Sequence, residues 1–181
     1  MMLIIGLGNP GKHYAKTRHN VGFMVLDALH DRLKEYNINN WELSKKFNAE
    51  ISGCSIQDKK IILAKPLTFM NRSGETVGLI GQFYKLTHKD LMVVHDDKDI
   101  VLGEIKIQED RGHAGHNGIK SIMEILDTKD FIRVRVGIAS ENKKKMEDTA
   151  SFVLKKFGVF EKKKLESTIS KAVEKIIILI N

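Results

Sequence analysis

The chain has one cysteine, Cys54, so it can close no internal disulfide and build no thiolate metal site. That usage suits a reducing compartment, and a cytoplasmic location is the expectation. No apolar run approaches the roughly 18 residues that a membrane span needs, so no membrane partner is expected. The first eleven residues, MMLIIGLGNPG, lack a basic leader segment and run straight into a glycine-rich turn, which argues against a signal peptide. No G-x-S-x-G is present, and Cys54 sits in an expected strand with no obvious histidine partner, so a covalent nucleophile is missing. Internal repeats and linkers are absent too, and residues 1–181 read as one domain.

What is present is ordinary globular material. Apolar residues make up 42%, enough for a sizeable core. Net charge is +7, from 30 Lys+Arg against 23 Asp+Glu. Such an excess suits a polyanionic partner through counterion release. Much of it lies in the last 40 residues, however, where a lysine-rich solvated face is the plainer explanation.

The chain is organised around residues 4–22, IIGLGNPGKHYAKTRHNVG. A buried first strand ends in a Gly/Pro turn, and the polar stretch after it has almost no apolar periodicity. A loop so placed, and so rich in hydrogen-bonding groups, reads as a site. Beyond it, Val21, Val25, Leu29 and Leu33 form one helical stripe over 21–36, with Asn20 placed to cap it. Residues 47–56 and 60–65 read as a β-hairpin, and 73–86 as a helix. LMVVH at 91–95 is a buried strand, and 104–108 another. Residues 119–126 form a helix after a glycine-rich loop. Strict alternation over 131–138 puts Arg133 and Arg135 on one face. Helices near 149–156 and 161–180 finish the chain. Interleaved strands and helices give an α/β class: a twisted, mixed but mostly parallel sheet with helices on both faces. In such sheets the ligand crevice lies beyond the carboxyl ends of the strands. Asn9, Asn71, His95, Asp96 and the 113–117 loop would then meet at one edge.

Two other chemistries can be weighed from the residues. Gly6-x-Gly8-x-x-Gly11 has the form of a dinucleotide fingerprint, but no helix starts there and no acidic residue ends a second strand. His113-x-x-His116 and His95-Asp96-Asp97 have metal-ligand elements, but histidines in a glycine loop lack fixed geometry and no third ligand suggests itself. No metal or other cofactor is expected. The remaining set is histidine, carboxylate and side-chain amides. It suits direct attack by water: an imidazole takes the proton, a carboxylate holds the imidazole, and amides position an acyl group.

These residues resemble the bacterial peptidyl-tRNA hydrolases. The resemblance rests on G-L-G-N-P-G at 6–11, T-R-H-N-x-G at 17–22, K-P-x-T-F-M-N-x-S-G at 65–74, H-D-D at 95–97 and G-H-N-G at 115–118, in that order. It implies a monomeric, metal-free esterase that cleaves the bond between a peptide and the 3′ ribose of tRNA. By the same resemblance His19 is the general base and Asp96 its partner. Asn9 binds substrate and separates blocked peptidyl groups from free aminoacyl ones. Asn71 and Asn117 hold the peptide backbone and ester, Tyr14 and Phe69 line the pocket, and His116 supports the loop. Each residue also has a plainer reading. Asparagine beside glycine is a common turn residue, Asp96 could cap a turn, and aromatics usually end in a core. A non-catalytic RNA-binding module on the same scaffold is the competing class; His19 with Asp96 discriminates, because a pure binder needs neither.

The sequence also departs from the family pattern. Before G-H-N-G the family is richer in glycine, whereas here Glu109, Asp110 and Arg111 intervene. A family lysine and arginine clamp a 5′-phosphate of tRNA. Arg135 matches the arginine, but Gln108 stands at the lysine position, and Lys106 on the same strand face is the candidate substitute.

Overall fold

The computed structural model describes residues 1–181, except the side chains of Lys143 and Lys145. Seven strands form one sheet: β1 (Met2–Gly6), β2 (Glu42–Ser44), β3 (Ala49–Ile56), β4 (Lys59–Pro66), β5 (Leu91–Val101), β6 (Ile105–Gln108) and β7 (Ile132–Ala139). Their order across the sheet is β2-β3-β4-β1-β5-β7-β6. β1 pairs in parallel with β4 and β5, and β5 with β7. Antiparallel pairings add β2, β3 and β6 at the margins, so only β3 and β6 run against the common direction.

Alternation along β1 decides which side each residue serves. Ile4 joins one core with α1 (Val21–Arg32) and α5 (Lys162–Ile180), where Val25, Leu29, Ala172 and Ile176 are fully buried. Leu3 and Ile5 join the other core, with Val77 and Ile80 of α2 (Ser73–Tyr84) and Ile119 and Ile122 of α3 (Asn117–Leu126). Each such aliphatic side chain contributes about 1.5–3 kcal/mol of burial, and the sheet is covered on both faces as the α/β pattern requires. A fifth helix, α4 (Thr149–Leu154), lies near the sheet's carboxyl edge.

Glycines set the contact that matters most for the site. A Cβ on Gly22 would lie 2.5 Å from both the Leu7 nitrogen and the Val94 oxygen, so the start of α1 presses directly on the ends of β1 and β5. This contact brings the short 3₁₀ turn Arg18–Asn20 to the sheet edge.

Several local expectations shift. The stripe over 21–36 splits: α1 stops at Arg32, and a 3₁₀ turn over Leu33–Tyr36 ends at Asn37, whose φ is 54°. Asn20 occupies the N-cap position of α1 but its side chain does not cap it; both amide ends are spent on Asn9. β5 does not end at His95 and continues to Val101, with a shift in its pairing to β7 between Asp97 and Val101. β2 went unread because its three residues are largely exposed and show no apolar alternation.

Candidate active site

Asp96 is the hub. It stands on β5, only 2% exposed, and its Oδ1 lies 2.8 Å from His19 Nδ1 and 2.9 Å from His116 Nε2. These partners come from 77 and 20 residues away in the chain. The two imidazole rings are tilted against each other with centroids 4.9 Å apart.

Hydrogen bonding fixes the protons. His116 is the N-cap of α3, and its Nδ1 accepts from the backbone N–H of Gly118 and Ile119 at 3.2 and 3.3 Å. An accepting Nδ1 carries no proton, so Nε2–H donates to Asp96. Burial raises the Asp96 pKa, but the two imidazoles more than offset this and hold it far below the usual carboxylate range. An ionised Asp96 takes the Nδ1 proton of His19 as a second donor. The Nε2 lone pair of His19 is then left without a partner among the described residues. Burial works to lower the His19 pKa; the Asp96 charge and hydrogen bond prevail, and the net shift is upward. Such an imidazole can act as a general base, with a carboxylate beside it to stabilise its cation.

His19, Asp96 and His116 are also a potential His-Asp-His ligand set, the third ligand that the sequence did not suggest. The donor chemistry fits a metal poorly. His116 Nε2 carries the proton that a metal would have to displace, and moving it to Nδ1 would cost the cap of α3.

Asn9 is nearly buried and its orientation is set. Its Oδ1 accepts from the Met70 N–H at 2.8 Å, so Nδ2 is the end left for a ligand. Its main chain is gripped by Asn20, which accepts from the Asn9 N–H at 3.0 Å and donates to the Asn9 carbonyl at 2.8 Å. A pair of bonds thus ties Asn9 to the residue after His19, and a single bond ties it to the residue before Asn71. Asn71 and Asn117 are exposed, and among the described residues neither side chain bonds to protein. Phe69 is 57% exposed and meets Tyr14 edge-on with ring centroids 6.4 Å apart. An aromatic so exposed is not core.

A cavity of about 240 Å³ opens beside the hub, lined by His19, His95, Asp96, residues 97–99, the 113–117 loop, and Thr149, Ala150 and Val153 of α4. His116 and Asn117 belong to it. Asn9, Tyr14, Phe69 and Asn71 do not line it; Asn9 meets the main chain of Met70, and Tyr14 meets Phe69. His95 is fully buried; burial first, then the neighbouring His116, pushes its pKa well down, so it is neutral. Its Nδ1 bonds the Asp96 carbonyl at 2.7 Å and its ring meets His116 edge-on.

Arg135 does not stand free as the sequence suggested. It is buried, with Nε and Nη2 both 2.7 Å from Asp97 Oδ2, and Nη1 on Gln108. Lys106 lies opposite it in the β6–β7 register and is exposed, so it is the cation of that pair that solvent reaches. Arg133, also buried, bonds the carbonyls of Arg111, Gly112 and Lys129 and anchors the segment leading to the 113–117 loop. Asn20 and the α4 wall were missed as site residues, whereas His95 was expected at the ligand edge but given no role. The T-R-H-N motif contained the first, but nothing local marked α4.

Residues 3–181 match the family model described as peptidyl-tRNA hydrolase. A peptidyl-tRNA hydrolase of Mycolicibacterium gilvum (strain PYR-GCK) is 42% identical over 179 residues, covering 99% of this chain and 90% of that one. One from Thermodesulfovibrio yellowstonii is 41% identical over 183 residues, covering 100% of this chain and 93% of its own. The crystal structure of the Acinetobacter baumannii peptidyl-tRNA hydrolase superposes with a TM-score of 0.88 at 33% identity, covering 99% of this chain and 88% of that one. With the family's fold and matches of this extent, the chain belongs to the peptidyl-tRNA hydrolase family.

Proposed function

We propose that this hydrolase cleaves the ester between a peptide and the 3′ ribose of tRNA by attack of water activated on His19. The observation that carries the reading is the 2.8 Å contact of His19 Nδ1 with a buried, ionised Asp96, which leaves Nε2 without a partner among the described residues, beside a cavity. Nε2 takes a proton from water as the water oxygen bonds to the ester carbon. Asp96 stabilises the imidazolium, which then returns the proton to the departing ribose oxygen. Asn9, with Nδ2 held outward, donates to the substrate acyl group. Asn71 and Asn117 supply amides that can both donate and accept, so they grip a peptide backbone without reading side chains. Tyr14 and Phe69 offer apolar faces to the substrate, and His116 holds the loop and Asp96 together. Asn9 also separates blocked peptidyl groups from free aminoacyl ones. Lys106 meets a tRNA phosphate, and Arg135 completes the clamp to the extent that Asp97 releases it. This is a single catalytic domain over 1–181, monomeric and cytoplasmic, working without a metal and recycling tRNA from aborted translation. No helix among the described residues is long and apolar enough to cross a membrane. A pure RNA-binding module has no use for an imidazole with a fixed tautomer, which weighs against that alternative.

The test is to incubate the protein with N-acetyl-aminoacyl-tRNA and its unacetylated counterpart, with and without chelator. Release of the acetylated amino acid alone, unchanged by chelator, is expected. A folded protein inert toward the blocked substrate would sink the reading.

A further inference from the structure

Arg18 immediately precedes the base, yet its side chain reaches into the C-terminal part of the chain. Nη2 contacts both oxygens of Glu161, at 2.7 and 3.0 Å. Nη1 donates to the Lys156 carbonyl at 2.7 Å and the Lys155 carbonyl at 3.3 Å. The guanidinium lies 4.5 Å from the ring centre of Phe152 and 5.0 Å from that of Phe157. The main chain follows: Arg18 N–H donates to the Lys155 carbonyl at 3.0 Å, and Thr17 forms an isolated antiparallel bridge with Lys156.

What this holds is α4, whose Thr149, Ala150 and Val153 line the reaction cavity. α4 has six residues, of which only Phe152 is buried. A helix of that length has no independent stability in water. Its position therefore depends on Phe152 beneath the guanidinium and on the carbonyls at its carboxyl end, both of which Arg18 takes. The latch is also open to release, because the Glu161 side chain is 25% exposed while that of Arg18 is 6% exposed. A planar fork that serves two rings, a carboxylate and two carbonyls is a task for arginine and not for lysine.

We propose that Arg18, one peptide bond from His19, is a positioning residue that latches α4 over the cavity and so fixes that part of its wall. The inference rests on the reading of His19 as base and extends it. Substrate is held between α4 and the loop only while the Arg18–Glu161 pair is closed. Opening it frees the wall and weakens binding before it touches proton transfer.

The experiment compares Arg18→Lys and the milder Glu161→Gln with wild type by local amide hydrogen exchange and by steady-state kinetics on N-acetyl-aminoacyl-tRNA. Exchange of the amides over 149–157 should rise about tenfold, the equivalent of one charge-assisted hydrogen bond. KM should rise several-fold, and the acid limb of the pH profile, set by His19 beside Asp96, should stay in place. Unchanged exchange over 149–157 in Glu161→Gln overturns the latch. So does faster exchange with KM unaltered, or a lower Tm alone, which would leave Arg18 as structural glue. An inactive wild type would refute the proposed function and leave the exchange result to judge the latch by itself.

Discussion

Replacing Asp96 with asparagine removes one unit of charge from beside His19 and keeps the hydrogen-bonding skeleton. Oδ1 already accepts from both imidazoles, and an asparagine oxygen can do the same. The loss is therefore electrostatic. In the transition state His19 becomes a cation with its charge about 4 Å from the carboxylate. At an effective dielectric of about 20 that pair is worth about 4 kcal/mol, or about 10³-fold in kcat. The pH profile supplies a second sign. Asp96 is what lifts the His19 pKa above its ordinary value of 6.5, against burial that lowers it. The base works when neutral, so wild-type kcat/KM falls as pH drops through that raised pKa. In Asp96→Asn only burial remains, and the acid limb moves to lower pH while the plateau falls. Stability follows the same linkage. A raised histidine pKa stabilises the wild type fully below 6.5 and ceases to do so as pH rises through the folded value. The depressed Asp96 pKa stabilises above its ordinary 3.8 and is lost as pH falls toward the folded value. The assay is the pH dependence of hydrolysis of N-acetyl-aminoacyl-tRNA, with Tm followed in the same buffers. A plateau within about threefold of wild type, or an acid limb that stays or moves upward, would refute the charge argument.

Three further substitutions probe the flanks of the site. Asn9→Ala strips the Met70 N–H of its buried acceptor, which should cost about 1–3 kcal/mol in chemical denaturation and raise KM as well. An unchanged denaturation midpoint would show that the bond contributes nothing. Lys106→Ala should raise KM for a 5′-phosphorylated substrate relative to its dephosphorylated form, with stability unchanged. Arg135→Ala should instead destabilise by about 3–5 kcal/mol, because Asp97 is left buried and unpaired. A preference for the 5′-phosphorylated substrate as large in both variants as in wild type would end the clamp.

Much of the architecture could be read residue by residue. MLIIG is apolar throughout because β1 lies between two parallel strands and is covered on both faces. Strict alternation along β7 placed Arg133 and Arg135 together, and Gly6, Gly8 and Gly11 marked the turn after the first strand. The roles assigned to His19, Asp96 and Asn9 came from motifs; the structure puts His19 against Asp96 and holds Asn9 through Asn20 and Met70. What could not be read locally is what depends on parallel pairing. β5 outruns its apolar core because Asp96 and Asp97 pair with Val136 and Gly137 on β7, a contact no window of sequence contains.

The sequence by itself determined the α/β pattern, the glycine turn and the kinds of chemical group at the carboxyl edge, since these follow from local periodicity and residue type. Only the tertiary structure decided that one carboxylate oxygen serves two imidazoles, that Arg135 is neutralised by Asp97, and that a six-residue helix walls the cavity. The reason is physical. Proton position and charge state are set by which groups meet, and those meetings join residues as far apart as 143 positions, Arg18 and Glu161.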